Sequence, residues 1–227
     1  LFVFAAFGVE RRDRVSERVN FLIALAMGLN LLALGTYRLP TLIAAMSVQG
    51  VILSLMPLLM SEHLDWRTVL VAAATLCGKG FLIPNLLRRA MRAARIDREV
   101  EPIIPFIPSL LLGAGGTIAA IALAQSLPLL PEHAGSLLVP GALASVLTGF
   151  VLMIGRVKAI SQVCGYLILE NGIYLFGLLL LRETTMFVEA GILLDVTVGV
   201  FVIGIIVDRI QRAFDSLDTR KLTALRE

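Results

Sequence analysis

Residues 158–208 read KAISQVCGYLILENGIYLFGLLLLRETTMFVEAGILLDVTVGVFVIGIIVD. Two apolar runs stand back to back here, 159–181 and 186–207, with a polar break at Arg182 and Glu183. Each is about 22 residues, or ~33 Å of helix at ~1.5 Å per residue, enough to cross the hydrocarbon of a bilayer. Carboxylates sit inside both runs: Glu170 near the middle of the first, Glu189 and Asp195 in the second. An acid at that depth costs roughly 2.5–3.5 kcal/mol on insertion scales, so it is rare without a task. Proton movement is the task this pattern suggests.

The rest of the chain has the same character. Its 227 residues are 58% hydrophobic before the 19 glycines are counted and only 16% charged, where soluble domains hold about 25% charged residues. Mean hydropathy is +0.89. The fold class is therefore an all-α polytopic membrane protein, since the alternating segments of a β-barrel are absent. The net charge of +3 does not imply nucleic acid, because the basic residues fall in short clusters between apolar runs. Cys77 and Cys164 both lie inside such runs and read as small packing residues, not as a disulfide or metal pair.

Seven spans are expected, near 20–37, 41–60, 68–88, 104–125, 137–155, 159–181 and 186–207. Residues 1–19 form an N-terminal charged, amphipathic piece, 20–135 a four-helix part, and 136–227 a three-helix part with a C-terminal tail. The N-terminal piece does not read as a signal peptide, since its charge follows its apolar residues. Pro40 starts a helix, and prolines close the charged linker 96–105. Gly113, Gly115, Gly116, Gly141 and Gly149 let neighbouring helices approach. Trp66 sits at a span end as an aromatic anchor.

Orientation follows from Lys and Arg counted by alternating side. Thirteen fall with Arg38, the 88–98 cluster, Arg156, Lys158 and the tail, and six fall on the other side, four of them in the N-terminal piece. That places the C-terminus in the cytoplasm of a prokaryotic plasma membrane.

Four ionisable groups lie within the spans: Lys79, Glu170, Glu189 and Asp195. Flanking charges put Lys79, Glu170 and Asp195 close to the midplane and Glu189 nearer the outer face. Summed at insertion-scale cost, three midplane charges oppose the fold by roughly 8–10 kcal/mol. They must be paired, neutral or hydrated. Plain alternatives stand beside the relay. Lys79 and Glu170 could form a structural ion pair, Glu189 could be an interfacial residue near a helix start, and Asp195 could pair with another subunit. Asn171 and Tyr174 flank Glu170 on its helix face, with Gln162 and Tyr166 below. Asn30 and Gln49 read as helix–helix hydrogen-bond groups. Pro84, five residues past Lys79, either opens space around the lysine or kinks its helix. No CxxC, HExxH, Walker loop or GxGxxG precedes a helix, and His63 and His133 fall in loops, so no cofactor or metal is expected in this chain.

These wordings are familiar. GYLILENGIYLFGLLLL, FVEAGILLDVTVGVFVIGIIV and the tail FDSLDTRKLTALRE, with GTYRLPTLIAAMSVQGVILSL and TLCGKGFLIPNLLRRA before them, resemble the hydrogenase-4 component E family of formate-hydrogenlyase-type complexes. The resemblance covers about residues 20–227. The last three spans also look like the K subunit of respiratory complex I and the C subunit of Mrp-type antiporters. In those proteins two consecutive helices carry buried glutamates on a proton path, and by position these match Glu170 and Glu189. Asp195 is an addition of the hydrogenase branch, and Lys79 has no counterpart in the three-helix proteins.

The resemblance implies a membrane-arm subunit that is not an enzyme by itself. Its expected partners are antiporter-like and anchor membrane subunits beneath a soluble arm with iron–sulfur clusters, a [NiFe] centre being one option there. Glu170, Glu189, Asp195 and Lys79 are the expected proton-relay groups, for H⁺ or Na⁺, with Asn171 and Tyr174 in support. Two other readings are a passive scaffold with statically paired charges and a free-standing transporter. The absence of an inverted repeat weighs against the last.

Overall fold

Long apolar runs bounded by Pro, Gly and charge leave the backbone one way to satisfy itself in lipid, and these runs are helices. The computed structural model describes residues 2–60, 65–99, 101–127 and 136–180. Helix α1 covers Phe2–Gly35, α2 Leu39–Met60, and α3 Trp66–Thr75; a π segment at Leu76–Leu82 leads into α4, Ile83–Ala94. Then come α5, Phe106–Ser126, α6, Leu138–Gly155, and α7, Ala159–Leu180. Among the described residues no strand occurs, and a single backbone bridge joins Arg38 to Arg98.

Among the described residues six stretches are long and apolar enough to cross a membrane: Val15–Gly35, Leu39–Met60, Thr68–Ala94, Phe106–Ser126, Leu138–Gly155 and Ala159–Leu179. They correspond to the first six expected spans; the seventh, 186–207, lies outside the described residues. The charged N-terminal piece and the first span form one unbroken helix, α1.

Helices α2, α6 and α7 fill the centre, more than half of each being buried, whereas α5 is 17% buried and faces outward. The closest pairing is α6 with α7. Gly149 and Gly165 face each other there: a Cβ on Gly149 would stand 2.6 Å from the Gly165 carbonyl oxygen, and one on Gly165 would stand 3.1 Å from that of Gly149. Of the other glycines expected at helix contacts, Gly113 meets Leu34 and Gly141 meets Ile23, while Gly115 has nothing within 4 Å. Two apolar clusters result. One joins Leu39, Ile43 and Leu87 to Cys164 and Ile168; the other joins Ile23 and Leu53 to Ala142 and Leu175. Cys164 packs inside as expected, but Cys77 is exposed on the outer face; both are free thiols. Trp66 is exposed at the start of its span.

Three connections meet at one end of the bundle. The α1–α2 turn, the α4–α5 linker and the α6–α7 turn are tied by Leu39 N–H to Asp97 O (3.0 Å), Glu99 N–H to Tyr37 O (2.9 Å) and Ile104 N–H to Gly155 O (3.2 Å). This gathers Arg38, the 88–98 arginines, Arg156 and Lys158 at a common end, as the alternating-side count requires. Helix α4 closes there with Arg95 in the left-handed region (φ 52). The N–H of Arg95 goes to Arg92 O and that of Ile96 to Met91 O, a helix stop that glycine usually supplies.

Candidate functional site

Glu170 stands at the middle of α7 and Lys79 near the middle of Thr68–Ala94. Facing each other at that depth, their charged atoms meet: Lys79 Nζ lies 2.8 Å from Glu170 Oε1, with side chains 6% and 3% exposed. The direct pair left open in the sequence is thus the arrangement found. Separating such charges in a low-dielectric interior is costly, so each holds the other in place. Lys79 Nζ also donates to Asn171 Oδ1 (3.2 Å) and lies 5.4 Å from the centre of the Tyr174 ring. Glu170 Oε2 is buried and has no hydrogen-bond partner among the described residues.

A chain of amides continues from this pair. Asn171 Nδ2 donates to Gln49 Oε1 (3.2 Å), Gln49 Nε2 to Asn30 Oδ1 (2.9 Å), and Asn30 Nδ2 to Ser145 Oγ (2.9 Å). Every bond runs the same way, so each carbonyl points back toward the ammonium. Aligned dipoles of this kind polarise one another. All five side chains, Lys79 included, are buried. Asn30 and Gln49, expected as helix–helix hydrogen-bond groups, do bond between helices, within one network that crosses α6, α1, α2, α7 and the π segment. Gln162 is not a member, because its amide donates to the Arg156 carbonyl at the end of the bundle (3.0 Å). Tyr166 packs against an apolar cluster.

The backbone around Lys79 is irregular for a readable reason. Pro84 has no N–H, so it cannot bond the carbonyls of Gly80 or Lys79 in either an α or a π pattern. Ile83 N–H reaches back to Gly78 O, a π-type bond, and Ser47 on α2 donates its hydroxyl to Gly80 O (2.9 Å). Where opened space or a kink was expected from Pro84, the structure shows a π segment, Leu76–Leu82, that carries the lysine. Gly50 makes room for it: a Cβ there would lie 2.8 Å from Lys79 Cβ.

A second buried charge cluster, which the sequence had shown only as linker and topology markers, lies at the bundle end. Glu99 accepts from the N–H groups of Val157 and Lys158 (both 3.2 Å) and from the Ser161 hydroxyl (2.6 Å). It caps α7 from another segment. The available signal was α7 itself, which starts at Ala159 behind a lysine where a capping Ser, Thr, Asp or Asn is usual. Arg156 donates to Ile104 O (3.0 Å) and Leu34 O (2.6 Å) and lies 4.4 Å from the Phe106 ring centre. Burial lowers its pKa from the ordinary guanidinium value, and the Glu99 charge opposes that shift.

Chemically, the two clusters differ. Around Glu99 the donors are two backbone N–H groups and a hydroxyl, whereas Glu170 faces an ammonium 2.8 Å away. Of the six residues expected at the site, the structure brings together Lys79, Glu170, Asn171 and Tyr174. Glu189 and Asp195 lie outside the described residues, as do His63 and His133. No group of three or more metal-binding side chains occurs among the described residues.

No protein-family model and no solved structure matches the chain. It is 33% identical over 85 residues to hydrogenase-4 component E of Escherichia coli and of Shigella flexneri, a match covering 37% of this chain and 39% of those proteins. With the uncharacterized protein Rv0085 of Mycobacterium tuberculosis it shares 36% identity over 191 residues, 83% of this chain and 87% of that one. On that coverage, the chain belongs to the family of this mycobacterial protein.

Proposed function

We propose that the chain is a membrane-arm subunit of an energy-converting, complex I-like hydrogenase or formate-hydrogenlyase-type complex. In this reading it contributes buried charges to proton or Na⁺ translocation driven by electron transfer in a soluble arm. The observation that carries it is the Lys79–Glu170 pair at mid-membrane, continued by a one-way amide chain through five segments. Support comes also from the partial similarity to hydrogenase-4 component E.

In the relay, Glu170 is the central carboxylate and Lys79 its exchange partner. Transfer of one proton across the 2.8 Å contact turns an ion pair into a neutral pair. A neutral pair costs less to bury and no longer orients the amides, so a charge arriving next door shifts the balance. The amides supply polarisation, not conduction, since an amide N–H does not titrate in this range. Glu189 is placed toward the outside and Asp195 as a further station. The soluble arm supplies the iron–sulfur and any [NiFe] chemistry, antiporter-like and anchor subunits flank the chain, and its C-terminus lies in the cytoplasm of the plasma membrane.

The test is Glu170→Gln in the assembled complex, which keeps the shape and removes the exchangeable charge. Ion translocation falls at least about tenfold, which is ~1.4 kcal/mol, while assembly is retained. Unchanged pumping and unchanged redox turnover reject the relay. A second reading, a scaffold with static charges, draws on the same contact being direct and buried on both sides. Under it, Lys79→Met with Glu170→Leu leaves activity intact.

A further inference from the structure

At the bundle end the antiparallel bridge sets Arg38 opposite Arg98. The flanking bonds, Leu39 N–H to Asp97 O and Glu99 N–H to Tyr37 O, make this the narrow kind of antiparallel pair, with Cα atoms roughly 4.5 Å apart. Residues directly opposite project to the same side, and like charges so placed repel. The alternation along the linker agrees: Glu99 turns inward to cap α7, so its neighbour Arg98 turns outward. Both arginines are exposed. Among the described residues neither makes an ion pair. The Arg98 guanidinium rests 5.7 Å from the Tyr37 ring centre, which fixes its direction without neutralising it.

Two exposed cations on directly opposed backbone positions, neither in an ion pair among the described residues, offer charge to an anion. Their surroundings identify the source of the anion. Arg88, Arg89, Arg92 and Arg95 are exposed around the end of α4 and deepen the positive field. The start of α5 lies close by, the Phe106 ring being 6.3 Å from that of Tyr37, and exposed Ile103 before the helix, with Ile107 and Leu111 on it, leads into the apolar span. A headgroup at the arginines therefore has a place for its acyl chains directly below. The span Thr68–Ala94, at 27 residues, is ~40 Å long, about 10 Å more than the hydrocarbon, which puts its basic end at headgroup height.

We infer that Arg38 and Arg98 form a binding site for the phosphate of an anionic phospholipid. The planar guanidinium groups engage the phosphate oxygens, and α5 receives the chains. The site stands apart from the mid-membrane ion pair and does not depend on ion translocation.

The experiment uses the full chain in neutral detergent, titrated with phosphatidylglycerol or phosphatidylcholine of equal chain length and read by native mass spectrometry. Phosphatidylglycerol is expected to bind roughly tenfold more tightly or better, a preference that Arg38→Gln with Arg98→Gln removes. Arg38→Glu separates a ligand role from a folding role. It converts repulsion into attraction across the bridge, so thermal stability rises while the lipid preference disappears. Equal binding of the two lipids overturns the inference, as does a preference that survives either variant. Displacement of the lipid by millimolar inorganic phosphate points to a soluble anion and overturns it too. Cross-linking of Arg98→Cys to a protein neighbour in native membranes, without lipid preference in the isolated chain, replaces the lipid with an acidic protein partner.

Discussion

Among the described residues two carboxylates are buried near cations, Glu99 and Glu170, and the two regions treat them differently. At the bundle end, Glu99 takes hydrogens from two backbone N–H groups and a hydroxyl. Those donors never release a proton at ordinary pH, and Arg156 stays charged despite its lowered pKa. This cluster is a staple that ties three connections together. At mid-membrane, Glu170 faces a lysine, and one of its oxygens has no hydrogen-bond partner among the described residues. A lysine gives up its proton far more readily than an arginine when its surroundings change.

The comparison can be broken most forcefully at the pair itself. Lys79→Met strands a buried carboxylate and is expected to cost about 3–5 kcal/mol of stability. Adding Glu170→Leu should recover most of that loss in detergent unfolding, because a pair removed whole leaves no orphan charge. A double variant no more stable than Lys79→Met means that the two groups are held by other neighbours. Next in size is Glu99→Ala, expected to cost roughly 2–3 kcal/mol by leaving helix-start donors without an acceptor. Glu99→Gln keeps one oxygen and should lose less. Neither should change the ion specificity or pH profile of the complex, and a shifted profile would make the staple a titrating site.

A smaller effect tests how Lys79 is aimed. Gly50→Ala drives a methyl into the lysine stem at 2.8 Å and should cost about 1–3 kcal/mol. Gly28→Ala, with nothing within 4 Å, should be neutral or gain up to ~1 kcal/mol from helix propensity. Equal behaviour of the two would mean that α2 yields around the π segment. Smallest is Ser47→Ala, which removes the hydroxyl from the Gly80 carbonyl at about 1 kcal/mol.

Much of this was legible in the residues. Hydropathy placed the ends of the six described spans to within six positions, because lipid admits few alternatives for such runs. Counting between flanking charges put Lys79 and Glu170 at one depth, and equal depth is what allowed them to meet. Depth says nothing of azimuth, however. Which faces of α1, α2 and α6 turn inward is set by contacts such as Gly141 on Ile23 and Gly149 on Gly165, and those depend on tertiary packing. So the joining of Asn30, Gln49 and Ser145 into one chain could not be read from spacing. The π segment was half visible: Pro84 announced a broken ladder, but spacing did not show that the Ser47 hydroxyl would meet the Gly80 carbonyl across the helix interface. Glu99 was hidden because its partners are about 60 positions away, and a charged linker residue is ordinarily solvated.

The most direct measurement is infrared difference spectroscopy of the assembled complex during turnover, wild type against Glu170→Gln. If the pair exchanges its proton, a protonated-carboxyl band rises and decays with turnover in the wild type and is missing from the variant. A carboxylate signal that stays constant through turnover, with the same spectrum in both proteins, would contradict proton exchange and leave Lys79–Glu170 as a second staple.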